Sequence, residues 1–172
     1  MLGKPKKFYD KEVKSYVYDL EGTSRMQLPK NERQTLGLSQ PFFAIQLKIP
    51  AQKGFSLELA VLDATRKRRR ILWNAGNKET VSTALHARIP LGLIIRGQWL
   101  NLCFDLRDLV AQLWPGAEFA SVELVSVAAS CKVRRIATLR GALADTTEDD
   151  VQWHCDRSLW QSTPVEVRRY WT

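Results

Sequence analysis

Alternating apolar residues are the feature that most limits which folds this chain can adopt. Segment 43–49 carries a large apolar side chain at every second position, and Ala44, Gln46 and Lys48 lie between them. This pattern is typical of a β-strand with one buried face, because successive side chains of a strand point to opposite faces. Similar stretches recur between turns rich in Gly, Pro and Asn. The predicted strands are 12–20, 41–49, 55–63, 70–74, 84–90, 98–105, 118–128 and 131–139.

One helix is predicted within this β pattern. Asp105 is a good N-cap residue, and apolar residues follow at helical spacing from Leu106 to Leu113. Trp114-Pro115-Gly116 ends the helix. We therefore predict a mainly β protein, an antiparallel β-sandwich or jelly-roll-like domain whose one short α-helix closes an end of the sandwich.

The composition changes near the C-terminus. At 172 residues the chain has room for one domain with a tail. We predict a β-sandwich domain over residues 1–140, then an acidic linker and a Trp-rich tail over residues 141–172. Trp153, Trp160 and Trp171 are half of the six tryptophans. Exposed tryptophan is unfavourable, so we expect this tail to dock onto the domain or onto a partner.

A continuous basic run lies between two predicted strands. It consists of Arg66, Lys67, Arg68, Arg69 and Arg70. In a strand these charges would lie on both faces, and a sheet core cannot hold them all. We therefore predict that the run projects beyond the sheet, past the turn at 63–65. It is then either a solvated hairpin tip or a docking point for an acidic partner.

The overall charge favours anionic partners. The formal net charge is +8, which suits nucleic acid, anionic lipid or the acidic surface of another protein. No segment is long and apolar enough to predict a membrane span, and no secretory signal is visible. The three cysteines are odd in number and widely spaced, which argues against a disulfide framework and favours a reducing, intracellular compartment.

No catalytic constellation is apparent in the sequence. His86 lies in a β-patterned segment and is expected to be structural, and His154-Cys155 has no second pair to complete a zinc site. We expect a protein that is not an enzyme, with no catalytic residues, no cofactor and no metal. A nucleic-acid-binding module, with Trp73 or Trp99 stacking on bases, and a carbohydrate-binding module remain alternatives.

Several short segments occur in an order that resembles a known family. They are Lys11-Glu12-Val13-Lys14-Ser15, Leu20-Glu21-Gly22-Thr23, Gln27-Leu28-Pro29, Leu36-Gly37-Leu38, Leu62-Asp63 before the basic run, Ser82-Thr83, His86-Ala87-Arg88-Ile89-Pro90-Leu91, Trp99-Leu100-Asn101-Leu102 and Cys131-Lys132-Val133-Arg134-Arg135-Ile136. In this order they are similar to the domain of the cilia- and flagella-associated protein 20 family, over residues 8–140. The larger proteins that contain this domain are the most similar branch.

The resemblance implies a β-sandwich without catalytic activity, located in the ciliary or flagellar axoneme, with the basal body or centriole as a second location. The founding member is a structural protein at the inner junction of the doublet microtubule. Tubulin and neighbouring axonemal proteins are the implied partners, whereas nucleic acid and membrane are not. The candidate contact residues are the basic run and Trp153, Trp160 and Trp171.

This sequence departs from the family at both ends. Family members carry roughly two dozen further residues before the equivalent of Lys11. We therefore expect either that the start of this sequence is truncated or that a strand is replaced by the tail or by a neighbour, since an open sheet edge invites pairing. The Trp-rich tail after Arg140 has no counterpart in the resemblance.

Overall fold

A computed structural model describes residues 4–31, 33–51, 53–91 and 96–141. These residues form eleven strands and one helix. In chain order they are β1 (Lys6–Asp10), β2 (Ser15–Leu20), β3 (Arg25–Leu28), β4 (Phe42–Lys48), β5 (Phe55–Asp63), β6 (Arg68–Asn74), β7 (Val81–Ser82), β8 (His86–Pro90), β9 (Trp99–Asp105), α1 (Leu106–Leu113), β10 (Phe119–Ala129) and β11 (Cys131–Leu139).

The strands form two sheets. A five-stranded sheet has the order β1-β2-β11-β4-β9, and a six-stranded sheet has the order β3-β10-β5-β6-β8-β7. Neighbouring strands are antiparallel except β6 and β8, which pair in parallel. The predicted mainly β architecture is confirmed, and the arrangement is that of a β-sandwich rather than a closed barrel.

The main core lies between the two sheets. Phe43 and Leu102 of the five-stranded sheet are fully buried in the same cluster as Leu59, Ile71 and Val125 of the six-stranded sheet. Complete burial of such a side chain contributes about 1.5–3 kcal/mol relative to leaving it exposed. The alternation in the sequence therefore reports which side of each strand faces the opposite sheet.

Helix α1 has the predicted start and end. The side chain of Asp105 accepts hydrogen bonds from the backbone N–H groups of Arg107 (2.9 Å) and Asp108 (3.3 Å). Leu106 and Val110 are fully buried in the main core, as expected for a helix that packs one face against a sandwich. No helix among the described residues is long and apolar enough to cross a membrane.

Three strands were not predicted, and one of them, β7, has only two residues, both of them exposed. β1 and β3 lie at the outer edges of their sheets, and only part of each is buried, so neither carries a long apolar alternation. β1 pairs with β2 from Lys6 to Asp10. The predicted linker and tail, with Trp153, Trp160 and Trp171, lie outside the described residues apart from position 141.

Candidate protein-interaction surface

The turn between β5 and β6 is organised by Asp63. Its buried carboxylate accepts hydrogen bonds from the hydroxyl of Thr65 (2.7 Å) and the backbone N–H of Lys67 (2.9 Å). Arg66 has a φ of 62°, a left-handed conformation that the tight turn requires. Burial alone would raise the pKa of Asp63, but these hydrogen bonds and the Arg69 guanidinium outweigh it and hold the pKa at about 2.

Arg69 is buried beneath this turn. Its Nε and Nη2 atoms lie 2.9 and 2.8 Å from a carboxylate oxygen of Asp63. Nη1 donates to the backbone carbonyl of Ala84 (2.7 Å), and the guanidinium lies 5.0 Å from the centre of the Trp114 ring. The Trp114 Nε1–H in turn donates to the carbonyl of Thr83 (2.6 Å). Arg69 therefore ties the hairpin to the loop before β8 and to the end of α1.

The basic run is divided between the turn and the strand. β6 begins at Arg68 and pairs with β5 from that residue onward, so the prediction that the whole run projects beyond the sheet is wrong for Arg68, Arg69 and Arg70. The reason is that Asp63 provides a buried partner for the one inward-facing charge, Arg69. Arg66 and Lys67 lie on the turn, and Arg68 and Arg70 lie on the outer face of the six-stranded sheet, all four exposed.

Parallel pairing of β6 with β8 adds a further arginine to this outer face. The register places His86 beside Arg70 and Arg88 beside Leu72, and both His86 and Arg88 are exposed while Ala87 between them is buried. Sequence reasoning missed Arg88 as a site residue because the pairing joins segments that a loop separates. The polar–apolar–polar alternation of His86, Ala87 and Arg88 was the available signal in the sequence.

An ionic row crosses the same face towards β3. Glu58 lies 3.6 Å from the guanidinium of Arg70 on one side and 3.6 Å from that of Arg25 on the other. Arg25 also donates through Nε to the Ser126 hydroxyl (2.7 Å). One carboxylate shared by two guanidinium groups leaves the row net positive. We call the outer surface formed by the following residues the basic face: Arg25, Arg66, Lys67, Arg68, Arg70 and Arg88.

The described tryptophans are not on this surface. Trp73 and Trp99 are buried, at 2% and 1% exposure, and Trp114 is buried against Arg69. The alternative in which Trp73 or Trp99 stacks on nucleic-acid bases is therefore wrong for both side chains. Among the described residues no group of three or more His, Cys, Asp and Glu could hold a metal ion.

These features define a class of protein: a β-sandwich module that presents one basic sheet face. The chain belongs to the CFA20 domain family, whose sequence profile matches residues 1–150. The resemblance found in the sequence is thereby confirmed.

Three relatives are each named Cilia- and flagella-associated protein 20. Identity is 25% over 138 residues to the proteins of Caenorhabditis briggsae and Caenorhabditis elegans, covering 78% of this chain and 66% of each relative. Identity to the Chlamydomonas reinhardtii protein is 28% over 138 residues, covering 78% of this chain and 70% of the relative. The chain thus spans about two thirds of the length of these relatives. The family names indicate a protein associated with cilia or flagella.

Proposed function

We propose that this protein is a non-catalytic structural component of the doublet microtubules of cilia and flagella, and that its basic face binds the acidic surface of tubulin. Membership of the CFA20 domain family supports the location, since its relatives are named as cilia- and flagella-associated proteins. Neighbouring axonemal proteins are the other proposed partners.

The observation that carries the proposed contact is the placement of arginines on one side of the sandwich. Arg68, Arg70 and Arg88 come from two adjacent strands, which lie about 4.8 Å apart in a sheet. A rigid sheet holds these charges in fixed positions, so binding an acidic lattice requires little ordering of the backbone. Such a contact is electrostatic, and it weakens as salt screens the charges.

Sedimentation with purified microtubules tests the contact. The variant Arg68→Ser/Arg70→Ser/Arg88→Ser removes three charges from the basic face and leaves the buried Arg69–Asp63 pair in place. We expect microtubule affinity to fall by about tenfold to a hundredfold, because each exposed charge pair contributes up to about 1 kcal/mol. The affinity of the unmodified protein should fall as the salt concentration rises.

A charge-matched control uses basic residues elsewhere. Lys4, Lys11 and Arg33 are exposed, and the described contacts give their side chains no partner. The variant Lys4→Ser/Lys11→Ser/Arg33→Ser should sediment almost as the unmodified protein does. Equal losses of microtubule affinity in both variants would show that net charge alone governs binding. Unchanged affinity in the first variant would show that the basic face is only a solvated surface.

Location is tested separately in ciliated cells. Tagged protein should co-purify with demembranated axonemes and remain on doublets after the membrane and matrix are removed. Absence from axonemes and basal bodies would contradict the proposed function, whatever the result with purified microtubules. Preferential binding to single-stranded nucleic acid, lost in the same basic-face variant, would favour the alternative of a nucleic-acid-binding module.

A further inference from the structure

A second apolar cluster lies on the outer face of the five-stranded sheet. The strand register places Ala44 beside Cys103 and Ala137, and Phe42 beside Leu139. Ala44, Cys103 and Leu139 are only 2%, 5% and 5% exposed, although none of them belongs to the main core, which instead takes the residues on either side of Ala44 and of Cys103. We call these five residues the outer apolar cluster. Burial on a face turned away from the core requires a covering layer.

The next row of the same face is polar and equally buried. Gln46 lies opposite Asn101, and each is 2% exposed. A register shift between Val133 and Arg135 is a β-bulge, which brings Arg134 to this face, where Nη1 donates to the Gln46 Oε1 atom (3.0 Å). Among the described residues the buried Nε2 of Gln46 has no hydrogen-bond partner. A buried amide normally has an acceptor, so the missing one is expected in the covering layer.

Apolar residues of the β1–β2 hairpin pack at the other end of this face. Trp99, at the start of β9, packs with Val13, Val17 and Phe8, which belong to the β1–β2 hairpin. The outer apolar cluster, by contrast, draws every described member from β4, β9 and β11, strands of the sheet itself. At this end of the face the described hydrophobic residues therefore form a single layer.

The chain continues from the edge of this cluster. Leu139, a member of the cluster, is the last residue of β11, and residues 142–172 follow. A groove of about 320 Å³ lies there, lined by Ser39, Gln40, Pro41, Arg107 and Arg140. The segment that leaves Arg140 is acidic, with Asp145, Glu148, Asp149 and Asp150. Five residues reach up to about 17 Å, so these carboxylates can approach both arginines of the groove.

We propose that residues 142–172 of this same chain fold back over the outer face of the five-stranded sheet. The acidic segment 145–150 lies near Arg107 and Arg140, where opposite charges attract. The tryptophans beyond it cover the outer apolar cluster, because Trp combines a large apolar surface with an N–H that can reach a polar neighbour. Val151, Cys155 and Leu159, spaced by four residues, supply an apolar stripe for the same contact.

The rate of thiol alkylation in the full chain tests this proposal. Cys103 belongs to the outer apolar cluster, whereas Cys131 lies in the main core, where burial raises the pKa of its thiol to about 12. In the variant Trp153→Ala/Trp160→Ala/Trp171→Ala we expect Cys103 to be alkylated about tenfold faster or more, with Cys131 unchanged. Loss of a covering aromatic side chain shifts the local opening equilibrium by at least that factor. Peptide mass spectrometry resolves the thiols.

Two further variants separate the covering contact from general unfolding. Trp153→Phe/Trp160→Phe/Trp171→Phe keeps aromatic side chains and should preserve most of the protection of Cys103. Glu148→Lys/Asp149→Lys/Asp150→Lys changes no apolar residue, and repulsion from Arg107 and Arg140 should accelerate alkylation of Cys103 several-fold while Cys131 stays protected.

Protection of Cys103 that is unchanged in both the alanine and the lysine variants overturns the proposal. Protection that rises with protein concentration also overturns it, since a second copy of the chain would then cover this face. The measurement uses the isolated protein, so its result does not depend on whether the protein binds microtubules.

Discussion

Asp63 and Arg69 show how a strand can contain a continuous basic run. The Asp63 carboxylate accepts hydrogen bonds from the Thr65 hydroxyl, the Lys67 backbone N–H and the Arg69 guanidinium. Arg69 is only 9% exposed. Arg69 also donates to Ala84 and packs over Trp114, so its charge is compensated on several sides. Adjacent arginines therefore have different roles: Arg69 is part of the structure, and Arg68 and Arg70 are part of the surface.

This division predicts unequal effects of neighbouring substitutions. Arg69→Met leaves the Asp63 carboxylate buried without its guanidinium, and we expect the free energy of unfolding to fall by about 3 kcal/mol or more. Arg68→Met changes an exposed side chain and should alter it by no more than about 0.5 kcal/mol. Urea unfolding of the two variants measures the difference. Equal effects would show that Asp63 does not hold Arg69 as described.

The same carboxylate makes stability depend on pH. Its pKa is about 2 in the folded protein and near 3.8 in an unfolded chain, so the folded state is favoured once Asp63 is ionised. That stabilisation is fully present above about pH 4 and is lost as the pH falls towards about 2. From the difference between the two pKa values we expect this stabilisation to amount to about 2 kcal/mol. Between about pH 4 and pH 2, the free energy of unfolding of Asp63→Asn should fall less steeply than that of the unmodified protein. An identical dependence on pH would contradict the lowered pKa of Asp63.

Among the secondary-structure elements, α1 shows that sequence periodicity can predict both the start of a helix and its buried face. Asp105 caps the helix, and Leu106 and Val110 enter the main core, as their spacing indicated. β1, β3 and β7 were missed because each is short and buries few residues, so none carries a long apolar alternation. The start of β6 was placed two residues late, since a row of charges gives no sign that one of them has a buried partner.

Two leucines of α1 provide a matched pair for testing this packing. Leu106 is fully buried, whereas Leu109 is only partly buried at the margin of the core. We expect Leu106→Ala to lower the free energy of unfolding by about 2–5 kcal/mol, because it leaves a cavity. Leu109→Ala should lower the free energy of unfolding clearly less, since solvent can fill the space. Chemical denaturation ranks the two, and the reverse order would place a different face of the helix on the core.

At the scale of the whole molecule, the two sheets differ in what they present to their surroundings. The outer side of the six-stranded sheet carries the basic face, and that of the five-stranded sheet carries the outer apolar cluster. Both share one main core, so each surface is fixed relative to the other. The two proposed contacts, with an acidic lattice and with the tail, therefore use opposite sides of the sandwich and do not compete.

Removing an acidic residue from the basic face should raise microtubule affinity, whereas the arginine variants should lower it. Glu58→Gln removes the acid between Arg25 and Arg70, so microtubule affinity should rise, by up to about tenfold. Stability should change by no more than about 1 kcal/mol, because both arginine partners are substantially exposed. Glu21→Gln, an exposed acid after β2, makes the same change in net charge and should raise affinity less. Equal gains would show that net charge governs binding.

The mainly β architecture, the capped helix and the family could be predicted from the sequence, because strand alternation, helix spacing and short ordered segments are local properties of the chain. The sequence also located the basic run. The burial of Arg69 and the places of Arg25 and Arg88 on the basic face could not be predicted in this way. Those outcomes depend on pairing between distant segments, β3 with β10 and β6 with β8, and strand partners are chosen by packing of the whole sandwich rather than by any local pattern.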